Sequence, residues 1–382
     1  MASIIPPEIL REINKIPETF ERHGETRVRF EKILGAGSAG YTLQMVVKEQ
    51  SISSSTPKLP VRFVMKRALN QSGEDSLRKE IRVLQQLRGA PNIQQLFRIP
   101  GETEDLELPF WRGPILCTEW IPNGLFDNLV RRRNEWGHPL PNRMLWKFFL
   151  CFCYMLLAMA WPPNGEEDAP SSKGDLPARD GTGELPPESN LVHGDMNVEN
   201  VMLGDFEPIM HQFVPMLKLI DFGKSQILPV SPTPAIKRNM WDVGKIMLAL
   251  IGGRVWDGRY RTVMIEVTDR GGKKTVRSAA RDLERLDHPV YAAIDSETRK
   301  SHQERLDNLD PELKDLIVLC LAPIEADRPE FDYLLQEVRR NVLEKTQDSY
   351  RGKRYHHNES DAALRRISNR MIILAQTPPS ES

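Results

Sequence analysis

In the stretch LVHGDMNVENVML, residues 191–203, two apolar arms flank a polar centre. That centre holds His193, Asp195 and, five residues after the aspartate, Asn200. A carboxylate and an amide so spaced raise phosphoryl transfer as the chemistry to test for. A second group points the same way. Gly35, Ala36, Gly37, Ser38 and Gly40, within GAGSAG, carry the G-x-G-x-x-G spacing that lets backbone amides approach phosphates without side-chain obstruction. Lys66 ends the strand-like VRFVMK, and Glu80 lies three residues after Leu77 and four before Leu84. That spacing puts a carboxylate on the apolar face of a helix, which is costly unless it is paired, and Lys66 is the natural partner.

The elements around these residues limit what they can be. A dinucleotide turn needs a helix after its last glycine, whereas YTLQMVVK reads as a strand, so a glycine-rich hairpin over a nucleotide is favoured. Strand, glycine turn and strand run from Val28 to Val47, and 48–60 read as a surface loop before strand character resumes. A helix follows, with Leu77, Ile81, Leu84 and Leu87 as its stripe and Ser72 and Asp75 as an expected capping box. Beyond residue 124 the chain turns mostly helical, with patterns at 239–251, 311–321 and 329–343. The basic stretch near 259–281 reads as a hairpin with solvated charges.

Composition adds bounds. The 382 residues are 40% hydrophobic and 27% charged with net charge -1, which gives no field for nucleic acid or an anionic membrane. The apolar run within 144–161 is uninterrupted for only ~14 residues, typical of a buried core helix rather than a membrane span. Cys117, Cys151, Cys153 and Cys320 lack paired metal-ligand spacing and are expected as buried reduced thiols. With no secretory signal, an intracellular location, cytoplasmic or nuclear, is expected. Residues 162–190 have almost no large apolar side chain and are expected to be a disordered, dispensable insertion.

Taken in order, Gly35 to Gly40, Phe63-Val64-Met65-Lys66, Glu80, His193-Gly194-Asp195 with Asn200, and Asp221-Phe222-Gly223 resemble the eukaryotic protein kinase superfamily. MWDVGKIMLAL around Asp242 and ADRPEFDYLL around Arg328 are similar to its later landmarks. The resemblance implies an α+β, bilobal protein kinase-like fold. Its small β-rich N-lobe, with one key helix, would span 28–121, and its larger, mainly helical C-lobe 124–342. Residues 1–27 would then be an N-terminal extension and 343–382 a C-terminal tail. It further implies ATP and Mg²⁺ as cofactors. Asp195 would meet the acceptor hydroxyl, Asn200 and Asp221 would hold the metal, and Lys66, kept in place by Glu80, would contact the α- and β-phosphates. Backbone groups of Glu119 to Ile121 would read adenine, Thr118 would guard the pocket's back, and His193 would hold the loop backbone.

The sequence also departs from that pattern. Gly194 stands where an arginine usually clamps a phosphorylated residue, so activity independent of Ser225, Ser231 and Thr233 is expected. Asn197 stands where a lysine usually steadies the transferring phosphate. The segment between Asp221 and Asp242 is short and lacks Ala-Pro-Glu, which deprives Arg328 of its usual glutamate. The leading expectation is transfer to serine or threonine hydroxyls of an unidentified protein. The alternatives are a nucleotide-binding or scaffolding pseudokinase and a small-molecule phosphotransferase.

Overall fold

The computed structural model describes residues 11–376 except 12, 25, 38, 49–59, 101–105, 109, 230–233, 253–260 and 284–295. Ser38, Ser231, Thr233 and nearly all of the expected 48–60 loop lie outside the described residues. The chain is mixed α+β. One antiparallel sheet runs in the order β1 (Val28–Ala36), β2 (Gly40–Val47), β3 (Arg62–Ala68), β4 (Ile115–Glu119). A first helix, α1 (Ile16–Arg22), belongs to the same body, because Ile16 and Phe20 are buried with the inward strand residues Leu43, Met45, Phe63 and Met65. Period-two alternation in β3 drives this: Phe63 and Met65 face the core while Lys66 faces the other side. Helix α2 (Gln71–Gln86) follows β3 and buries Leu77, Val83 and Leu84. Its N-cap is Asn70, whose side chain accepts from the Gly73 amide; the expected Ser72/Asp75 box lies inside the first turn.

The second core is helical. Helices α3 (Phe126–Trp136) and α4 (Asn142–Ala160) precede the two-stranded ribbons β5 (Leu191–Val192) with β8 (Gln226–Ile227), and β6 (Val201–Leu203) with β7 (Leu217–Leu219). Helix α5 (Ala235–Gly252), the hairpin β9 (Val263–Asp269)–β10 (Gly272–Ser278), and α6 (Ser296–Asn308), α7 (Pro311–Cys320), α8 (Phe331–Glu344) and α9 (Asp361–Gln376) complete it. By length and composition α4 is apolar enough to cross a membrane, but 83% of its apolar window is buried inside the protein, where it packs on α5 and α8. Cys151, Cys153 and Cys320 are buried thiols, and burial pushes the Cys151 thiol up to about 12.

One expectation fails here. Residues 162–190 are an ordered strap rather than a disordered insertion. The amides of Asn164 and Gly165 donate to the carbonyls of Gln86 and Arg88 (2.8 and 2.9 Å), and the Trp161 indole donates to Pro186 O (2.9 Å). Arg179 pairs with Asp332 at 2.7 Å, and Arg339 donates to Gly174 O. Composition counts apolar side chains, but this strap is held by backbone groups and guanidiniums. Gly174 has φ +81°, and a Cβ there would lie 2.8 Å from the Tyr154 ring. Gly174→Val is therefore expected to destabilise the protein by about 2 kcal/mol. An unchanged denaturant midpoint would mean that the strap is not docked.

The tail is likewise part of the fold. Helix α9 buries Leu364, Ile367, Met371 and Ile372 in the helical core. Asp310 caps α7 by accepting from the Glu312 amide, and Tyr350 Oη donates to its other oxygen at 2.9 Å.

One buried base gives the protein an acid limb. His211 is 4% exposed and bonded to Val214 O, and burial pushes its pKa down to about 4. In the unfolded chain it titrates near 6.5, so stability falls as pH drops from about 6.5 to about 4, by about 3 kcal/mol in all, and is flat in this respect below that. Its ring NMR signals should remain those of neutral imidazole down to about pH 5. A midpoint near 6.5 would contradict this.

Candidate active site

Strand β3 carries Lys66 between Thr42 of β2 and Leu116 of β4. Its Nζ lies 2.9 Å from Glu80 Oε1 and 3.2 Å from Asp221 Oδ1, so one ammonium joins α2 to the segment after β7. Burial works against the charge on Lys66, yet the two carboxylates hold its pKa above the ordinary value. Glu80, 3% exposed, is raised by burial, and Lys66 offsets this only in part. At Asp221 burial also opposes ionisation, but the Lys66 charge and hydrogen bond win and the carboxyl falls below its usual range. Ser76 Oγ donates to Gly223 O at 3.0 Å, a second tie between α2 and this segment.

Asp221 sits at φ 63°, left-handed for a residue with a Cβ, and its carboxylate accepts from the Gly223 amide. Phe222 is fully buried against the His193 ring, centroids 4.7 Å apart. His193 is buried and its pKa lowered by desolvation, so it is neutral. Its Nε2 faces Ile220 O at 3.1 Å and its Nδ1 faces the Asp195 amide at 3.3 Å, which assigns the proton to Nε2. The imidazole thus clamps two backbones together. From α5, Asn239 accepts from His193 N and donates to Leu191 O (3.2 and 2.9 Å).

Asp195 O accepts from Asn197 Nδ2 (3.0 Å) and Asn200 Nδ2 (2.8 Å). The amide geometry therefore turns Asn200 Oδ1 away from the loop. Ile220 N donates to Asn200 O at 2.9 Å, so Asn200 and Asp221 flank the same end of the β6–β7 ribbon. Among the described residues no cluster of three or more His, Cys, Asp or Glu could hold a metal alone. One ionised carboxylate and one amide oxygen instead suit Mg²⁺, which keeps waters and shares its shell with phosphates.

The glycines differ in what they do. A Cβ on Gly40 would lie 2.3 Å from Arg67 O, so this glycine serves the hairpin's own packing, whereas Gly35 and Gly37 face open space. Gly37 N donates to Gly40 O at 2.9 Å, closing the turn. Glu119 uses its carboxylate elsewhere: Oε1 accepts from Gln95 N (2.8 Å) and Lys218 Nζ (2.6 Å). Its amide is also taken, by Gln95 O. Ile121 and Thr118 are buried, each 2% exposed.

The departures acquire physical reasons. Gly194 has φ +77°, and a Cβ there would lie 2.5 Å from Lys224 O, leaving no room for an arginine. Gly194→Arg is expected to cost about 2 kcal/mol or more. An unchanged denaturant midpoint would show that the approach to Lys224 is soft. Arg328 satisfies itself without a glutamate, donating to Ala322 O (2.9 Å) and Lys237 O (2.6 Å) over the Trp241 ring. Ser225 is fully buried, its hydroxyl bonded to Phe222 O.

The sequence reading missed Ser76, Asn239 and Lys224. Lys224 Nζ lies 2.9 Å from Asp195 Oδ2. An asparagine on the apolar face of α5 was the available signal for one of them; an exposed lysine after a glycine gave none. No family model matches the chain, and no curated protein matches it.

Proposed function

We propose that this chain is an ATP-dependent phosphotransferase of the protein kinase-like, bilobal kind, acting on serine or threonine hydroxyls of a protein. The observation that carries the reading is the Lys66 ammonium shared between Glu80 and Asp221. A half-buried lysine held charged by a carboxylate behind it and another in front is arranged to receive phosphate. Asp195 accepts the proton of the acceptor hydroxyl, or orients it, from a loop fixed by His193, Asn197 and Asn200. The open glycines Gly35 and Gly37 leave their part of the hairpin free to lie over phosphates. Asn200 and Asp221 would hold Mg²⁺, which when bound neutralises charge on the phosphates.

Thermal melting with ATP, with Mg²⁺ and with both tests the reading. ATP with Mg²⁺ is expected to raise Tm in the wild type and to lose most of that effect in Lys66→Met. A Tm indifferent to the nucleotide would leave a scaffold. Stabilisation without transfer to any acceptor would leave a nucleotide-sensing pseudokinase, and label on small amines or alcohols alone would favour a small-molecule phosphotransferase.

A further inference from the structure

The Lys224–Asp195 contact is unlike the other ion pairs of the site. Lys66 is wedged between two carboxylates and 23% exposed, whereas the Lys224 side chain is 71% exposed and Asp195 35%. The backbone beneath Lys224 is fixed. It ends a short turn in which Ser225 N and Oγ both bond to Phe222 O (3.0 and 2.6 Å), and its own carbonyl lies against Gly194. A rigid base therefore carries a long, solvated cation beside the carboxylate that would meet the acceptor. Asn197 Nδ2 also donates to the Asp195 carboxylate, at 3.3 Å, but brings no charge.

We infer that Lys224 is a catalytic residue, the cation that leaves Asp195 for the equatorial oxygens of the phosphoryl group during transfer. This rests on the phosphotransferase reading above. In that step the bond from phosphorus to the leaving oxygen breaks, with its electron pair going to the nucleoside diphosphate. A new bond forms from phosphorus to the acceptor oxygen, and the acceptor proton passes to Asp195. Lys224 remains protonated throughout. Its release from Asp195 frees the carboxylate as the acceptor arrives, and its charge then lies where negative charge is shared among oxygens. With Lys224 at 71% exposure the ion pair costs little to open, because water solvates both partners almost as well once they separate.

Steady-state transfer from γ-labelled ATP with Mg²⁺ to dephosphorylated casein tests this with the full chain, in wild type, Lys224→Met and Lys224→Arg. Lys224→Met is expected to lose about 100-fold in kcat. Its KM for ATP should stay within about threefold and its Tm should be unchanged, and Lys224→Arg should recover at least about tenfold of the loss. Wild-type kcat in Lys224→Met would make the lysine a bystander. A higher kcat would make the pair a block on Asp195. Either result overturns the inference while leaving the phosphotransferase reading intact. A silent wild type would instead remove that reading and the inference together.

Discussion

Asp221→Asn is expected to reduce phosphoryl transfer by about 1000-fold while leaving the fold in place. The carboxylate has two tasks that an amide performs badly. It holds the front of Lys66 at 3.2 Å, and it is the ionised oxygen donor at the end of the β6–β7 ribbon. Losing a preorganised charge at such a position costs about 10²–10³ for a single contact, and here two are lost. The scaffold should tolerate the change. The side chain is 48% exposed, asparagine accepts the left-handed backbone at φ 63°, and Glu80 still holds Lys66 from behind. The measurement is transfer from γ-labelled ATP alongside a melting curve. Transfer within tenfold of wild type, at unchanged Tm, would mean that Asp221 is a structural partner of Lys66 and nothing more.

The second large effect is on stability. A chain ending at residue 345 is expected to lose its cooperative melt. Helix α4 begins after Pro141, which offers no side-chain cap. Glu359, 217 residues further along, supplies one: Oε1 accepts from Asn142 N at 2.7 Å and Oε2 from Arg143 N at 3.0 Å, with Asn142 Nδ2 also bonded to Oε1. The truncated chain would bury that helix end with orphaned amides. It would also strip Leu364, Ile367, Met371 and Ile372 from the core. At roughly 1.5–3 kcal/mol per buried apolar side chain, that loss alone is comparable with the net stability of about 5–15 kcal/mol of a whole domain. Glu359→Ala in the full chain, which removes only the cap, is expected to cost about 3 kcal/mol by chemical denaturation. A truncated chain that melts cooperatively within a few degrees of wild type would show the tail to be an appendage.

What could be read before the structure depended on range. Glu80 was legible because helical spacing places it on the face of Leu77 and Leu84, and a buried carboxylate demands a cation; Lys66 was one strand away. Alternation in β3 and the apolar period of α4 and α5 were equally local. The tail's tie to the core was hidden because it includes a carboxylate capping a helix 217 residues earlier, a pairing that no local pattern encodes. The 162–190 strap failed because its anchors are backbone amides and carbonyls, which every sequence possesses. Asn70 was passed over for Ser72 as the α2 cap because cap residues within two positions of each other give the same signal. Lys224 was invisible for a further reason. Its partner is fixed by the close approach of its carbonyl to Gly194, a contact that appears only when the β6–β7 and β5–β8 ribbons are assembled.

Lys66, Glu80, Asp195, Asn200 and Asp221 are proposed to form a working phosphoryl-transfer site. Transfer of label from γ-labelled ATP with Mg²⁺, wild type beside Asp195→Ala, offered mixed protein acceptors and separately small amines and alcohols, tests it most directly. Label is predicted on serine or threonine of protein acceptors with wild type, falling at least about 100-fold in Asp195→Ala. Label that persists undiminished in Asp195→Ala, or a wild type that binds ATP and transfers to nothing, would contradict it.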